Sequence, residues 1–327
     1  MSNLYASVTG MTNIFDVSVT ENHGAATSTA MITAKSTTLS LGDAIAVDIG
    51  YTTDHEVIFN GFVKQIERSV PDDVIVITAS DELIKAVDFY VAPDDPNAPF
   101  SRSNIAAELL VRDVLALASI TNYEYQSTSY TLAVGETAAE VKLISSYDYC
   151  KSIANLIAWN LWADRNGKVW FKNRKPYVML GTSSQPGDVA DVSVLTLTDS
   201  SISSVTYTIS ERDLRNRVVV WGVDEVAYTA SAVSPYLPSG FYKTILFSNR
   251  IISNQEMAIK TADYNLALFN RLTSSLNVTV LGDTTLQART VITFTSTELG
   301  LNQNAYVYGC QHRLAEDGYS CNLDLRL

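Results

Sequence analysis

The chain has 327 residues, 46% hydrophobic and 18% charged, with 35 acidic against 23 basic side chains and a formal charge of −12. That composition fits a globular protein of two or three domains and excludes a disordered chain. The acidic balance, with no run of either sign, excludes a reader of nucleic-acid backbone or of an anionic membrane surface, because both need clustered Lys and Arg.

Nothing at the start of the chain reads as a signal peptide. No window reaches the roughly 18 apolar residues of a membrane span; the stretch 109–120 is broken by Arg112 and Asp113. Assembly in a cytoplasm is the expectation. Cys150, Cys310 and Cys321 form no CxxC pair and no disulfide framework.

Residues 1–90 read as a first β module. Phe15, Val17 and Val19 alternate, a polar turn follows at Glu21-Asn22-His23-Gly24, and a second strand runs through 30–34. Gly42-Asp43 then opens a strand in which Ile45, Val47 and Ile49 alternate. Val57 starts a long strand after the polar Asp54-His55-Glu56, and Gly61 inside it signals a bulge or sharp bend. Pro71-Asp72-Asp73 turns the chain into 74–79. The pattern is that of a small, strongly curved antiparallel barrel.

Pro93, Pro96 and Pro99 mark a domain boundary. Beyond it, residues 91–208 read as an α+β insertion. Ser103 is the expected cap of a helix bearing Ile105, Leu109, Leu110, Val114 and Leu117. Ser145 with Asp148 forms a capping box for a second helix. Asn166-Gly167 reads as a two-residue hairpin turn, and strands at 192–197 and 204–209 close the insertion.

Residues 209–327 read as a second barrel built on strands 215–222 and 276–327, with an inserted arm at 225–250 and a helix at 254–273. Ser253 and Glu256 match a capping box, and Ile259, Ala262, Leu266, Phe269 and Leu272 form the helix stripe. In the last strand Tyr319, Cys321, Leu323, Leu325 and Leu327 share one face. Asp317-Gly318, read as a type I′ turn, puts Cys310 opposite Leu325, His312 opposite Leu323 and Leu314 opposite Cys321. That register makes Cys310 and Cys321 buried thiols and His312 a core histidine with a hydrogen-bonded ring nitrogen, in preference to a metal ligand or a catalytic base. The expected fold class is α+β, mainly β, with two related small antiparallel β-barrel domains flanking α+β insertions.

The two ends of the chain read as cousins. Each has a strand after a turn (45–49; 291–294), a long strand (57–67; 305–313) and an acidic hairpin tip. The tips supply the candidate functional residues, Asp72, Asp73, Glu316 and Asp317. They read as solvated turns with a candidate role in lining an acidic channel; Asp is ordinary turn chemistry there, which argues against a glycosidase pair. Trp159, Trp162 and Trp170 read as core packing beside a helix and hairpin. There is no HExxH, GxSxG, Walker loop or GxGxxG, so no catalytic residue, metal or cofactor is expected. Two like barrels per chain would let three chains build a ring of six like units.

Several segments, in order, resemble the phage tail hub family (late control protein D, baseplate hub). The first is L-x-x-G-D-x-I-x-V-x-I-G from Leu39, with Phe59-Asn60-Gly61-Phe62-Val63 and Asp81 after it. The others are YDYCKSIANLIAWNLWADRNGKVWF at 147–171, RNRVVVWG at 215–222, LNVTVLGDTTLQARTVI at 276–292 and AYVYGCQHRLAEDGYSCNLDLRL at 305–327. Cys321 departs from the family, which often has Thr there. The resemblance implies a structural, non-enzymatic hub at the virion tail tip: a homotrimer forming a pseudo-hexameric ring at the distal end of the tail tube. The ring would adapt a six-fold tube to a three-fold tip and gate DNA passage. It would meet a tail tube or distal tail protein ring, a central spike or tail fibre protein, and the tape measure protein. The chain ends with the second barrel, so a spike or lysozyme part is expected on a separate protein. The rival readings are a tail-tip cell-wall hydrolase and a receptor- or glycan-binding tail module with 228–247 as its contact arm.

Overall fold

A computed structural model of the chain describes residues 4–71, 73–91, 100–127, 131–132, 139–141, 143–157, 159–172, 193–223, 225–249, 251–270 and 273–327. The Pro-rich boundary at 92–99 lies outside them. The chain opens with β1 (Leu4–Val8), β2 (Met11–Asn22), β3 (Thr29–Thr37), β4 (Ala44–Tyr51), β5 (Asp54–Ser69) and β6 (Val74–Ser80). Then come α1 (Ile84–Asp88), β7 (Phe100–Arg102), β8 (Ile105–Ala106), α2 (Ala107–Leu117), β9 (Tyr123–Tyr125), β10 (Thr131–Leu132) and β11 (Ala139–Val141). The middle continues with α3 (Ser146–Leu156), β12 (Asn160–Ala163), β13 (Val169–Lys172), β14 (Ser193–Thr198) and β15 (Ile202–Ser210). The last third holds β16 (Arg217–Trp221), β17 (Ala227–Ser231), β18 (Thr244–Ser248), α4 (Gln255–Phe269), β19 (Thr273–Leu281), β20 (Val291–Ser296), β21 (Leu301–Ala315) and β22 (Gly318–Arg326). The protein is mainly β, with four helices among the described residues.

One twelve-stranded sheet organises the molecule. Its first half has the order β1-β4-β5-β6-β3-β2, and its second half β14-β20-β21-β22-β19-β15. Renumbered within each half, both orders read 1-4-5-6-3-2. The neighbours are antiparallel throughout, with one exception: β14 runs parallel to β20, where its counterpart β1 runs antiparallel to β4. The two halves are fused, because β2 pairs with the far half of β21. Alternating apolar residues from both halves form one cluster, including Val17, Val19, Ile32, Ile77, Phe294, Leu323 and Leu325.

The likeness extends to single residues. The cross-strand row Ile66–Ile77–Ile32–Val17 in the first module corresponds to Cys310–Leu323–Val278–Val205 in the second. Given that match, bulges fall at the same place twice: between Val63 and Gln65 on β5 as between Val307 and Gly309 on β21, and between Ile14 and Asp16 on β2 as between Ile202 and Ser204 on β15. The entry turns correspond too. Gly42 N–H donates to the Val63 carbonyl and Val63 N–H to Asp43; Arg289 N–H donates to the Val307 carbonyl and Val307 N–H to Thr290. Gly42 has φ +86° and Arg289 φ +69°, so a left-handed residue opens the same strand in both modules. Arginine bears a conformation that suits glycine.

A second core lies beneath this sheet. It joins α2, α3, β12 and β13 with β16 and α4 through residues such as Leu110, Val114, Ile153, Leu161, Val218, Val220 and Ala262. Here the strand membership differs from the sequence expectation. The strand at 217–221 does not join the second barrel; it is the middle of a separate sheet, β17-β16-β18. Conversely β14 and β15, expected in the insertion, supply the first two strands of the second module. Two strands from 193–210 are what bring the second module to the strand count of the first.

Local punctuation was also corrected. Phe15 does not share the inward face of Val17 and Val19; the bulge at Ile14/Asp16 leaves it 40% exposed. The first long helix begins after Ala106, not Ser103, without a side-chain cap. Ser145 does cap α3, accepting from Asp148 N–H. Asn254, one residue beyond Ser253, caps α4 by accepting from Met257 N–H. The α4 buried face runs through Met257, Ala258, Thr261, Ala262 and Asn265, rotated from the expected stripe. In the last hairpin Gly318 pairs with Ala315, so Glu316-Asp317 is the loop. The register therefore shifts by two: Cys310 lies opposite Leu323, His312 opposite Cys321 and Leu314 opposite Tyr319. A shift of two keeps every side chain on its face, because the strand period is two.

Candidate assembly joint and edges

The joint between the two modules is where the sequence places its least expected chemistry. β2 and β21 pair as Val17 with Leu314, Val19 with His312 and Glu21 with Cys310, all on the core side. On the outer side Arg313 bonds Asp16 at 2.9 Å and Gln311 Nε2 donates to Ser18 Oγ at 3.0 Å. Glu21 has only 7% of its surface exposed. A carboxylate buried that far needs a partner. That partner is Arg165, 2.8 Å away, at the tip of the β12–β13 hairpin.

Arg165 reaches the joint because its loop is longer than Asn166-Gly167 suggested. Ala163 pairs with Val169, leaving a five-residue turn. Asp164 organises it by accepting from Asn166 N–H, Lys168 N–H and Trp170 Nε1. The guanidinium donates to Glu21 and to the Thr284 and Leu286 carbonyls, with His312 Nε2 at 3.0 Å. Asn60 on β5 grips the Arg165 carbonyl. Burial works against the Arg165 charge, but Glu21 outweighs it and the pKa rises. One side chain from the middle of the chain thus ties both modules to the lower core.

His312 is fully buried. Its Nδ1 lies 2.7 Å from the Tyr319 hydroxyl and 3.2 Å from Cys321 Sγ; its Nε2 lies 2.8 Å from the Leu286 carbonyl and 3.3 Å from Cys310 Sγ. A hydrogen bond between the cysteines holds the Cys321 thiol below its usual range and raises that of Cys310. All three cysteines are free and buried. Among the described residues, no group of three His, Cys, Asp or Glu is arranged to hold a metal ion.

Beside the joint is a cavity of about 30 Å³, lined among others by Glu21, Asp81, Trp162 and Arg289. Asp81 is 3% exposed and accepts from Ser28 N–H and Leu83 N–H. Burial still dominates and raises its pKa from 3.8 to about 6. The folded state therefore favours the protonated acid. Its contribution is present in full below the unfolded value and is lost as pH climbs through about 6. Relative to the native chain, Asp81→Asn should gain about 2–3 kcal/mol between pH 4 and pH 7. Urea midpoints of both proteins across that range check it, and parallel curves would contradict it.

The predicted acids sit at corresponding tips. Asp73 lies on the β5–β6 turn and Glu316 and Asp317 on the β21–β22 turn, all exposed. Asp72 lies outside the described residues. No ion pair or hydrogen bond joins Asp73 to Glu316 or Asp317 among those described. Trp159 and Trp162 are buried as core, and Trp170 stacks on Trp162 with centroids 6.3 Å apart. What sequence reading missed was Arg165. The available signal was one of three charged residues, with Asp164 and Lys168, at a hairpin tip between apolar strands, which by itself does not distinguish a solvated turn from a plug.

The sheet also has unpaired edges. The order ends at β15, whose outer edge has no strand beside it among the described residues. β5 pairs with β4 only through Phe62, so the same side of its far half, 65–68, has no ladder partner among those residues.

No protein-family model matches the chain, and no curated protein matches it. Solved structures do. A tail protein from Neisseria meningitidis MC58 superposes with a TM-score of 0.75 at 14% identity, over 99% of this chain and 97% of its own. The 43 kDa tail protein of prophage MuSo2 from Shewanella oneidensis gives 0.70 at 15%, over 99% and 98%. The E. coli c3393 protein, a type VI secretion component described as structurally similar to T4 tail proteins gp27 and gp5, gives 0.58 at 10%, over 98% and 76%. No helix of the described residues is long and apolar enough to cross a membrane. Over nearly its whole length, then, this chain has the fold of phage tail proteins, in line with the tail hub resemblance read from its sequence.

Proposed function

We propose that the chain is a structural tail hub: three copies form a pseudo-hexameric ring at the distal end of a tail tube, at the virion tail tip. The observation that carries this reading is the internal duplication, two modules with one strand order and two bulges in common, joined edge to edge. A ring of three such chains presents six like modules to a six-fold tube ring and three whole chains to a three-fold spike or fibre. The tape measure protein and then DNA would pass through it, and the net charge of −12 suits a wall that must not retain phosphate. The acids Asp72, Asp73, Glu316 and Asp317 are proposed to lie toward one mouth of that passage. Domain units 1–90, 91–208 and 209–327 stay useful as assembly segments, with β14 and β15 serving the second ring module.

The protein acts without catalysis in this reading. Native mass spectrometry of the purified chain should give three times the monomer mass, at concentration or on adding its tail partners, and negative-stain images should show a ring of six lobes. A monomer that joins no tail assembly would refute the hub. Clearing of host cell wall in a zymogram would favour the hydrolase instead.

One surface favours a second role. The outer face near β16 and β18 exposes Trp221 (55%), Phe241 (52%), Tyr242 (50%) and Leu246 (62%). Phe241, Tyr242 and Leu246 belong to the arm at 228–247 read as a receptor contact, with Trp221 on the neighbouring strand, and adsorption of the purified chain to host cells would support that use.

A further inference from the structure

The internal joint is a template with only half of its parts used. The first module offers its second strand (β2) to the fifth strand of the second module (β21). The second module has a matching second strand, β15, and the first module a matching fifth strand, β5. Both keep an open edge among the described residues, as do the end strands β1 and β14, whose counterparts take no part in the internal joint.

From this we infer that β15 of one copy pairs antiparallel with residues 65–70 of β5 and its turn in the next copy, repeating the β2–β21 joint between subunits. The register follows from the residue correspondence. Val17 corresponds to Val205 and Cys310 to Ile66. The internal pairs Val17–Leu314, Val19–His312 and Glu21–Cys310 then become Val205–Val70, Tyr207–Arg68 and Ile209–Ile66 between copies.

Three observations support this occupant. First, the transferred pairs are chemically matched. Val70 is 88% exposed and Ile209 is 56% exposed, and each meets an aliphatic partner in the new register; Arg68 meets the ring of Tyr207, a cation–π pairing. Second, the parity is right. Val205, Tyr207 and Ile209 correspond to inward residues of β2, while Thr206, Thr208 and Ser210 stay on the polar outer side opposite residues such as Glu67 and Gln65. Third, the contact is head-to-tail. Any open row of copies leaves one β15 and one β5 edge bare, and only closure removes both. The number of copies at closure rests on the hub reading above; the edge pairing does not.

Cysteine cross-linking of the full chain tests it. The native cysteines are buried. Glu67→Cys with Thr208→Cys places two thiols directly opposite across the new joint. Glu67→Cys with Ser204→Cys is four residues out of register, beyond the reach of about 7 Å between Cα atoms that a disulfide tolerates. After mild oxidation with diamide, the in-register pair should give a ladder of covalent dimers and trimers on a non-reducing gel, roughly ten-fold above the off-register pair. Native mass spectrometry runs on the same samples. Assembly with no in-register excess overturns the edge pairing and leaves the hub standing. Monomers at every concentration, with and without the tail partners, and no cross-link overturn both.

Discussion

Replacing Arg165 with methionine should cost about 3–5 kcal/mol of folding stability, out of a total of roughly 5–15 for a protein domain. The size follows from what is left behind. Glu21 is buried, and its carboxylate would lose its partner at 2.8 Å, keeping only the Ala288 N–H as donor. The Thr284 carbonyl would lose its donor as well, while the Leu286 carbonyl would keep His312 Nε2 at 2.8 Å. An unpaired buried charge is expensive, whereas an absent pair is cheap. So Arg165→Met combined with Glu21→Gln should recover a large part of the loss, and the double-mutant cycle should show coupling well above 1 kcal/mol. Guanidinium melts of the four proteins would measure this. A single-variant cost below about 1 kcal/mol would mean that the modules hold together without the plug. The lower core should loosen from the sheet at the same time, seen as faster amide exchange in the β12–β13 hairpin than in β6.

Gly61→Ala should cost about 2–3 kcal/mol, as an overpacked site with no room to give. A methyl group there would sit 2.2 Å from the Ser80 carbonyl oxygen and 2.7 Å from the Phe59 ring. The first obstacle is backbone of β6, which cannot rotate away. The strands must part at the corner where β5 leaves β4 for β6. Gly42 is the useful contrast: its φ is +86°, yet nothing lies within 4 Å of an added methyl. Gly42→Ala should therefore cost only about 1 kcal/mol, through the backbone alone. Thermal melts of the two variants should rank in that order. The reverse order would show that conformation, not close approach, governs these turns. The second module has Ala305 where the first has Gly61, so its corner must already be wider by one methyl group.

Residue pattern alone marked most strands of the two end modules, most of their inward faces, Phe15 excepted, and their kinship. Alternation at Ile45-Val47-Ile49 and at Cys321-Leu323-Leu325 is a local property, since a strand with one buried face must alternate. It survived even a register error of two in the last hairpin, because parity is all that burial reads. Capping was legible at Ser145, where the spacing to Asp148 picked the right one of two adjacent serines, and slipped by one at Ser253 and Asn254.

Tertiary structure decided the rest. Which sheet a strand joins depends on edges offered by distant residues, so β14 and β15 went to the second module and β16 left it. The fusion of the two modules and the plug at Arg165 have the same origin. Glu21 and Arg165 lie 144 positions apart, and neither carries a local mark of the other. An ion pair across that distance is set by where two folded surfaces meet. A single chain written in order does not display that meeting until the sheet has closed.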